Sequence, residues 1–144
     1  MATYISHNPA ETQALGEEWG RQAQRGLVIG LTGDLGAGKT QLVKGLARGL
    51  GIGGRIQSPT FALINEHRSG RLALYHLDLY RLDSREEIIT AGLEPYLVRP
   101  DGVTVVEWID RWLPSEDYSF KYRRVQIKLL SETDRQIDYE DFGS

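Results

Sequence analysis

Leu27-Val28-Ile29-Gly30-Leu31-Thr32 runs directly into Gly33-Asp34-Leu35-Gly36-Ala37-Gly38-Lys39-Thr40, and everything else in the chain is placed around that join. The first six residues follow Gly26 and are apolar and β-branched over a strand's length, as a buried strand requires. The next eight match G-x-x-x-x-G-K-[ST], the loop whose glycines let backbone N–H groups curl around phosphate oxygens. In that arrangement Lys39 reaches the β- and γ-phosphates and the Thr40 hydroxyl ligates magnesium. Beyond the loop, Leu42, Val43, Leu46, Ala47 and Leu50 recur at three- and four-residue steps, which predicts a helix ending near Gly49 or Gly51. Its positive dipole end points at the same anion. A glycine-rich turn without a ligand fails to explain both the strand before it and Lys39-Thr40 after it. The predicted nucleotide-binding segment is therefore Gly33 to Thr40 with Gln41 following.

Asn8, Pro9 and Glu11 precede this unit with a helix start: a capping side chain, a proline suited to the first turn, and a glutamate that reaches back. Leu15 and Trp19 supply that helix with an apolar face. Downstream, Thr60 to Glu66 and Leu72 to Leu79 flank Arg68-Ser69-Gly70 and predict a hairpin, so antiparallel strands belong in the sheet. Ser84 with Glu87 repeats the capping spacing and predicts a short helix through Ile88 and Ile89 to Gly92. Pro95 and Pro100 keep the next stretch broken. Val103 to Trp108 is a near-continuous apolar run that fits a strand covered on both faces. Arg123 to Leu130 and Arg135 to Phe142 are two late strands. The expected fold is α/β, a three-layer sandwich of the P-loop NTPase kind with a mixed parallel and antiparallel central sheet, formed by residues 1–144 as one domain.

Magnesium needs one or two carboxylates besides the threonine hydroxyl. Asp78 and Glu107 each stand where a strand is expected to end, and ligands of open α/β sheets collect at the carboxyl ends of strands. Alternation puts His76 and Asp78 on one face. Ser58-Pro59-Thr60-Phe61 reads equally as turn chemistry and as a segment presenting the Thr60 hydroxyl to the γ-phosphate or the metal. A lone histidine in an apolar strand, His76 is expected to be a satisfied core residue. Lys121, Arg123 and Arg124 alternate with Val125, Ile127 and Leu129, which predicts the solvated face of an outer strand and not an RNA patch.

Of the 144 residues 40% are hydrophobic and 26% charged, ordinary for a soluble globular fold, and no apolar run nears the roughly 20 residues of a membrane span. A net charge of −3 gives no overall attraction to a nucleic-acid backbone, so any link to RNA is expected to run through a partner. The absence of cysteine excludes a disulfide framework and suits a reducing cytosol, and the first residues show no export signal, so a cytoplasmic location is expected.

Four blocks, Gly33 to Thr40, Ser58 to Phe61, His76-Leu77-Asp78-Leu79-Tyr80-Arg81 and Val106-Glu107-Trp108, together resemble the TsaE (YjeE) family in order and spacing. The likeness is strong from Ala10 to Leu113 and weaker over the last strands, because Ile109 to Pro114 is shorter than the family's usual helical stretch. The resemblance implies an ATPase using ATP and Mg2+ that works with TsaB and TsaD in making N6-threonylcarbamoyladenosine beside the tRNA anticodon. In that family TsaD, helped by TsaB, transfers the threonylcarbamoyl group, and the TsaE-like subunit hydrolyses ATP to reset the complex. It also implies Lys39 and Thr40 as phosphate and magnesium residues, Asp78 and Glu107 as the acids of hydrolysis, Thr60 as a switch threonine and Trp108 as a neighbour of the nucleotide. Either acid holds magnesium while the other orients water. No arginine placed for the transition state is evident, so hydrolysis by the chain alone is expected to be slow. A small-molecule kinase and a nucleotide-gated scaffold are the competing functions.

Overall fold

The computed structural model describes residues 1–33, 38–53, 63–112 and 121–142. In chain order the elements are β1 (Ala2–Ser6), α1 (Pro9–Gln22), β2 (Val28–Gly33), α2 (Lys39–Gly49), β3 (Ile64–His67), β4 (Leu74–Asp78), α3 (Arg85–Thr90), α4 (Glu94–Leu97), β5 (Val103–Glu107), a 3-10 turn (Ile109–Arg111), β6 (Tyr122–Leu129) and β7 (Arg135–Phe142). They build one seven-stranded sheet in the order β1-β7-β6-β2-β5-β4-β3. Its middle, β6-β2-β5-β4, is parallel, and antiparallel strands close both sides. Among the described residues no helix is long and apolar enough to cross a membrane.

The sequence of β2 explains its central place. Val28 and Ile29 are both buried but belong to opposite sides of the sheet, so this strand needs cover on two faces. Helices α1 and α2 supply one cover, packing Leu15, Trp19, Leu42 and Leu46 against Ile29, Leu31, Val105 and Ile127. On the other side α3 and α4 bring Ile88 and Leu97 to Val28, Leu77 and Val106. The result is the expected three-layer α/β arrangement with a mixed sheet.

Helix α2 is held in place by an unusually close neighbour. Gly16 and Gly20 of α1 face Gly45 and Gly49 of α2, and a Cβ at Gly45 would lie 2.0 Å from the Gln13 carbonyl oxygen. Only hydrogen fits there, so the two backbones touch and α1 fixes where the N-terminus of α2 points. The Asn8 side chain caps α1 by accepting from the Glu11 N–H at 2.9 Å, and Ser84 caps α3 from Glu87 at 3.2 Å. The returning glutamates bond one residue further out than a capping box requires, to the N–H groups of His7 and Asp83. At the other end of α1, the Arg71 guanidinium donates to the carbonyls of Gly20 and Ala23 at 2.8 and 3.0 Å.

Both predicted hairpin strands and both capped helices are present. Three features differ from expectation. Ala2–Ser6 forms a strand, β1, paired with β7 through Ala2↔Tyr139 to Ser6↔Arg135. Glu94–Leu97 makes a short helix, with Pro95 in its first turn where no N–H is needed. And β6 is not an outer strand: it lies between β7 and β2, and its polar alternation arises because, beyond the buried Tyr122, only the face of Val125 and Ile127 is covered. Arg123 on that covered side is tied to Asp141 at 2.6 Å and lies over Trp19, its guanidinium 4.8 Å from the ring centroid.

Gly45→Ala is expected to lower unfolding free energy by about 1–3 kcal/mol, because the added methyl must separate α1 from α2. Gly53→Ala, where a Cβ meets nothing within 4 Å among the described residues, stays within about 0.5 kcal/mol. Urea unfolding of the two variants checks both.

Candidate functional site

The carboxyl ends of β2, β4 and β5 stand side by side, because Glu107 is in register with Leu31 on one side and with Asp78 on the other. Aligned residues of a parallel ladder share a face, so both carboxylates look toward the α2 side, where the chain leaves β2. Gly33 ends β2 with φ +141°, and a Cβ there would meet the Ile127 carbonyl oxygen at 2.4 Å, so glycine is needed for both conformation and space. Gly38 re-enters the described chain at φ +99°, left-handed, and Lys39 opens α2. Whereas α1 and α3 carry side-chain caps, α2 has none among the described residues and no acidic residue in its first turn. Its first turn thus carries the dipole's positive end with no acidic side chain of its own.

Lys39 is 8% exposed, and its ammonium finds two partners: Glu107 Oε1 at 3.7 Å and the Trp108 ring, whose centroid is 5.5 Å away. Glu107 Oε2 accepts from His76 Nε2 at 2.9 Å. Burial pushes the Glu107 carboxyl up, but the His76 hydrogen bond and charge, joined by Lys39, outweigh it and hold the group below its ordinary value. Asp78 Oδ1 accepts from the Tyr80 N–H at 3.0 Å, which fixes one of its oxygens at the strand end.

Trp108 sits at φ +64°, a left-handed conformation unfavourable for a bulky residue and worth about 1–3 kcal/mol of strain. That turn ends β5 immediately after Glu107 and brings the indole against Tyr80, ring centroids 5.1 Å apart, and near the Arg111 guanidinium at 5.7 Å. A cavity of about 250 Å³ lies between the start of α1, the first turn of α2 and the β6–β7 turn, lined by Asn8, Pro9, Thr12, Gly38, Gln41 and Arg135. Gln41 is braced from α1 by Gln13 at 2.6 Å.

Of the residues singled out in the sequence, Gly33, Gly38, Lys39, Thr40, Gln41, Asp78, Glu107 and Trp108 come to this one edge of the sheet. Asp34, Leu35, Gly36, Ala37 and Thr60 lie outside the described residues. His76 is 1% exposed, as a core histidine is expected to be, yet its Nε2 is bonded to Glu107. That link was not legible along the chain, where only its two-residue step from Asp78 hinted at a shared face.

Glu107→Gln tests the electrostatics. A carboxylate whose folded-state pKa is depressed contributes stability above its unfolded pKa and loses it as pH falls through the folded one. The wild-type advantage over Glu107→Gln in urea unfolding is therefore present at pH 7 and closes on acidification below the ordinary carboxylate range.

Comparison with known proteins finds relatives over almost the whole chain. The family model described as threonylcarbamoyl adenosine biosynthesis protein TsaE matches residues 6–137. The tRNA threonylcarbamoyladenosine biosynthesis protein TsaE of Nostoc sp. is 50% identical over 135 residues, 92% of this chain and 81% of that protein. The protein of the same name from Bacillus subtilis is 40% identical over 140 residues, 95% of this chain and 84% of that one. The crystal structure of Bacillus subtilis YdiB matches with a TM-score of 0.77 at 35% identity, covering 99% of this chain and 86% of that chain. The strand, glycine loop and helix, the paired strand-end acids and the tryptophan after the second of them thus stand in a chain that belongs to the TsaE family.

Proposed function

We propose that this chain binds Mg-ATP at the carboxyl edge of β2, β4 and β5 and hydrolyses it as the ATPase subunit of tRNA N6-threonylcarbamoyladenosine synthesis, supporting turnover of the TsaB–TsaD complex in the cytoplasm. The observation that carries the proposal is the first turn of α2, which follows a left-handed Gly38, has no side-chain cap from that glycine and holds Lys39 against Glu107 at 3.7 Å. Such an arrangement suits a phosphate chain: N–H groups and a positive dipole end supply the cradle, and the lysine supplies a point charge. Lys39 exchanges Glu107 for the β- and γ-phosphates as the nucleotide arrives. The Thr40 hydroxyl with Asp78 and Glu107 offers magnesium the hard oxygen donors it prefers. Bound there, magnesium neutralises charge on the β- and γ-phosphates. One of the two carboxylates holds the ion, directly or through water, and the other orients the attacking water. The cavity beside Gly38 and Gln41 takes the nucleoside, and Trp108 stands as a wall next to Lys39. TsaB and TsaD are the protein partners, and contact with tRNA is indirect through them. The names of the relatives support the pathway; Glu107 beside Lys39, with Asp78 in register next to it, supports hydrolysis.

Reconstituted tRNA modification with TsaB, TsaD, a threonylcarbamoyl donor and Mg-ATP is expected to continue over many turnovers with this chain and to stall without it. Lys39→Ala behaves like omission and weakens ATP binding by about a hundredfold, roughly 2.8 kcal/mol. Rapid ATP turnover by the chain alone, or phosphoryl transfer to a small alcohol in preference to water, contradicts the proposal. Multiple turnovers supported equally by a hydrolysis-dead Asp78→Ala variant favour a nucleotide-gated scaffold instead.

Placement of the nucleoside has its own check. Thr133→Trp, at the β6–β7 turn lining the cavity, is expected to weaken ATP by about tenfold or more while leaving inorganic tripolyphosphate binding unchanged. Equal loss for both ligands, or for neither, places the base elsewhere.

A further inference from the structure

The two oxygens of Glu107 have different partners. Oε1 faces the Lys39 ammonium at 3.7 Å, and Oε2 takes the hydrogen bond from His76 Nε2 at 2.9 Å. Lys39 is on the first turn of α2 and swings on a flexible four-carbon stem. His76 is 1% exposed in the interior of β4, whose ladder to β5 pairs His76 with Val105 and Asp78 with Glu107, so the imidazole lies one diagonal step from the carboxylate on the same face. A carboxylate can only accept, which puts the ring proton on Nε2. Nδ1 is buried and has no hydrogen-bond partner among the described residues, so the bond to Glu107 is the ring's one described polar contact.

We propose that His76 is a positioning residue: it clamps Glu107 through Oε2 so that, when Lys39 turns to the phosphates, Oε1 is released in a fixed direction for the metal or the attacking water. This rests on the proposed ATPase function and adds a residue to it. A clamp through a buried hydrogen bond acts on the geometry of the hydrolytic step more than on nucleotide affinity.

The test is steady-state ATP hydrolysis by the full chain with TsaB and TsaD, comparing wild type, His76→Leu and His76→Gln. His76→Leu is expected to lower kcat by about 10- to 100-fold with KM for ATP changed less than about threefold. His76→Gln, whose amide N–H reaches toward Oε2, recovers most of the loss; a merely structural role for the imidazole shows no such split and no such rescue. Combined with Glu107→Gln, His76→Leu causes no further fall in kcat, because the group it positions is already gone. A wild-type complex that turns over ATP while His76→Leu matches it overturns the role of His76 alone. So does a loss confined to KM, or one that His76→Gln fails to relieve. Absence of turnover in the wild-type complex contradicts instead the ATPase function on which the role depends.

Discussion

The parallel register of β4, β5 and β2 is the constraint on which the site depends. Asp78 aligned with Glu107, and Glu107 with Leu31, put two carboxylates at the point where β2 gives way to the glycine loop. A slip of two residues in either ladder would carry one acid a pleat away from the other. Register in such a sheet is set by burial on both faces, and β2, β4 and β5 each contribute four consecutive buried residues, so no alternative pairing preserves both cores. The packing that specifies the fold is thus also what brings the acids together.

Helix α2 is the second half of that geometry. Its N-terminus aims at the loop because α1 lies backbone to backbone with it along Gly16, Gly20, Gly45 and Gly49, and because the strand it follows must turn at Gly33 against β6. Lys39 emerges from that first turn into a nearly closed space where Glu107 is its opposite charge and Trp108 its wall. Removing a lysine from water without a partner is costly, and the carboxylate offsets the cost. On the proposed function, the Lys39–Glu107 pair is the resting arrangement of the phosphate site, and the His76–Glu107 bond is the part proposed to stay fixed.

Much of this was legible in the chain because the signals are local. The strand and helix on either side of the glycine loop, the caps at Asn8 and Ser84 and the β3–β4 hairpin all declare themselves within about ten residues. What was missed is non-local. Strand β1 is short and mostly exposed, with a pattern of one buried residue in five, and it exists only because β7 arrives more than a hundred residues later to pair with it. Alternation in β6 correctly indicated one covered face but not that β7 and β1 would add outside it, so an interior strand read as an outer one. Asp78 and Glu107 were found by their strand-end positions, whereas the His76–Glu107 bond needs the β4–β5 register before it can be seen.

The central claim is that the Lys39–Glu107 contact is exchanged for a phosphate contact at the N-terminus of α2. A crystal structure of the chain with magnesium and a non-hydrolysable ATP analogue tests it most directly. The account predicts phosphate oxygens on the N–H groups of the glycine loop and the first turn of α2, Lys39 Nζ withdrawn from Glu107 onto the phosphates, and the His76–Glu107 hydrogen bond intact. Phosphates bound away from α2, or Lys39 still paired with Glu107 in the loaded site, would contradict it.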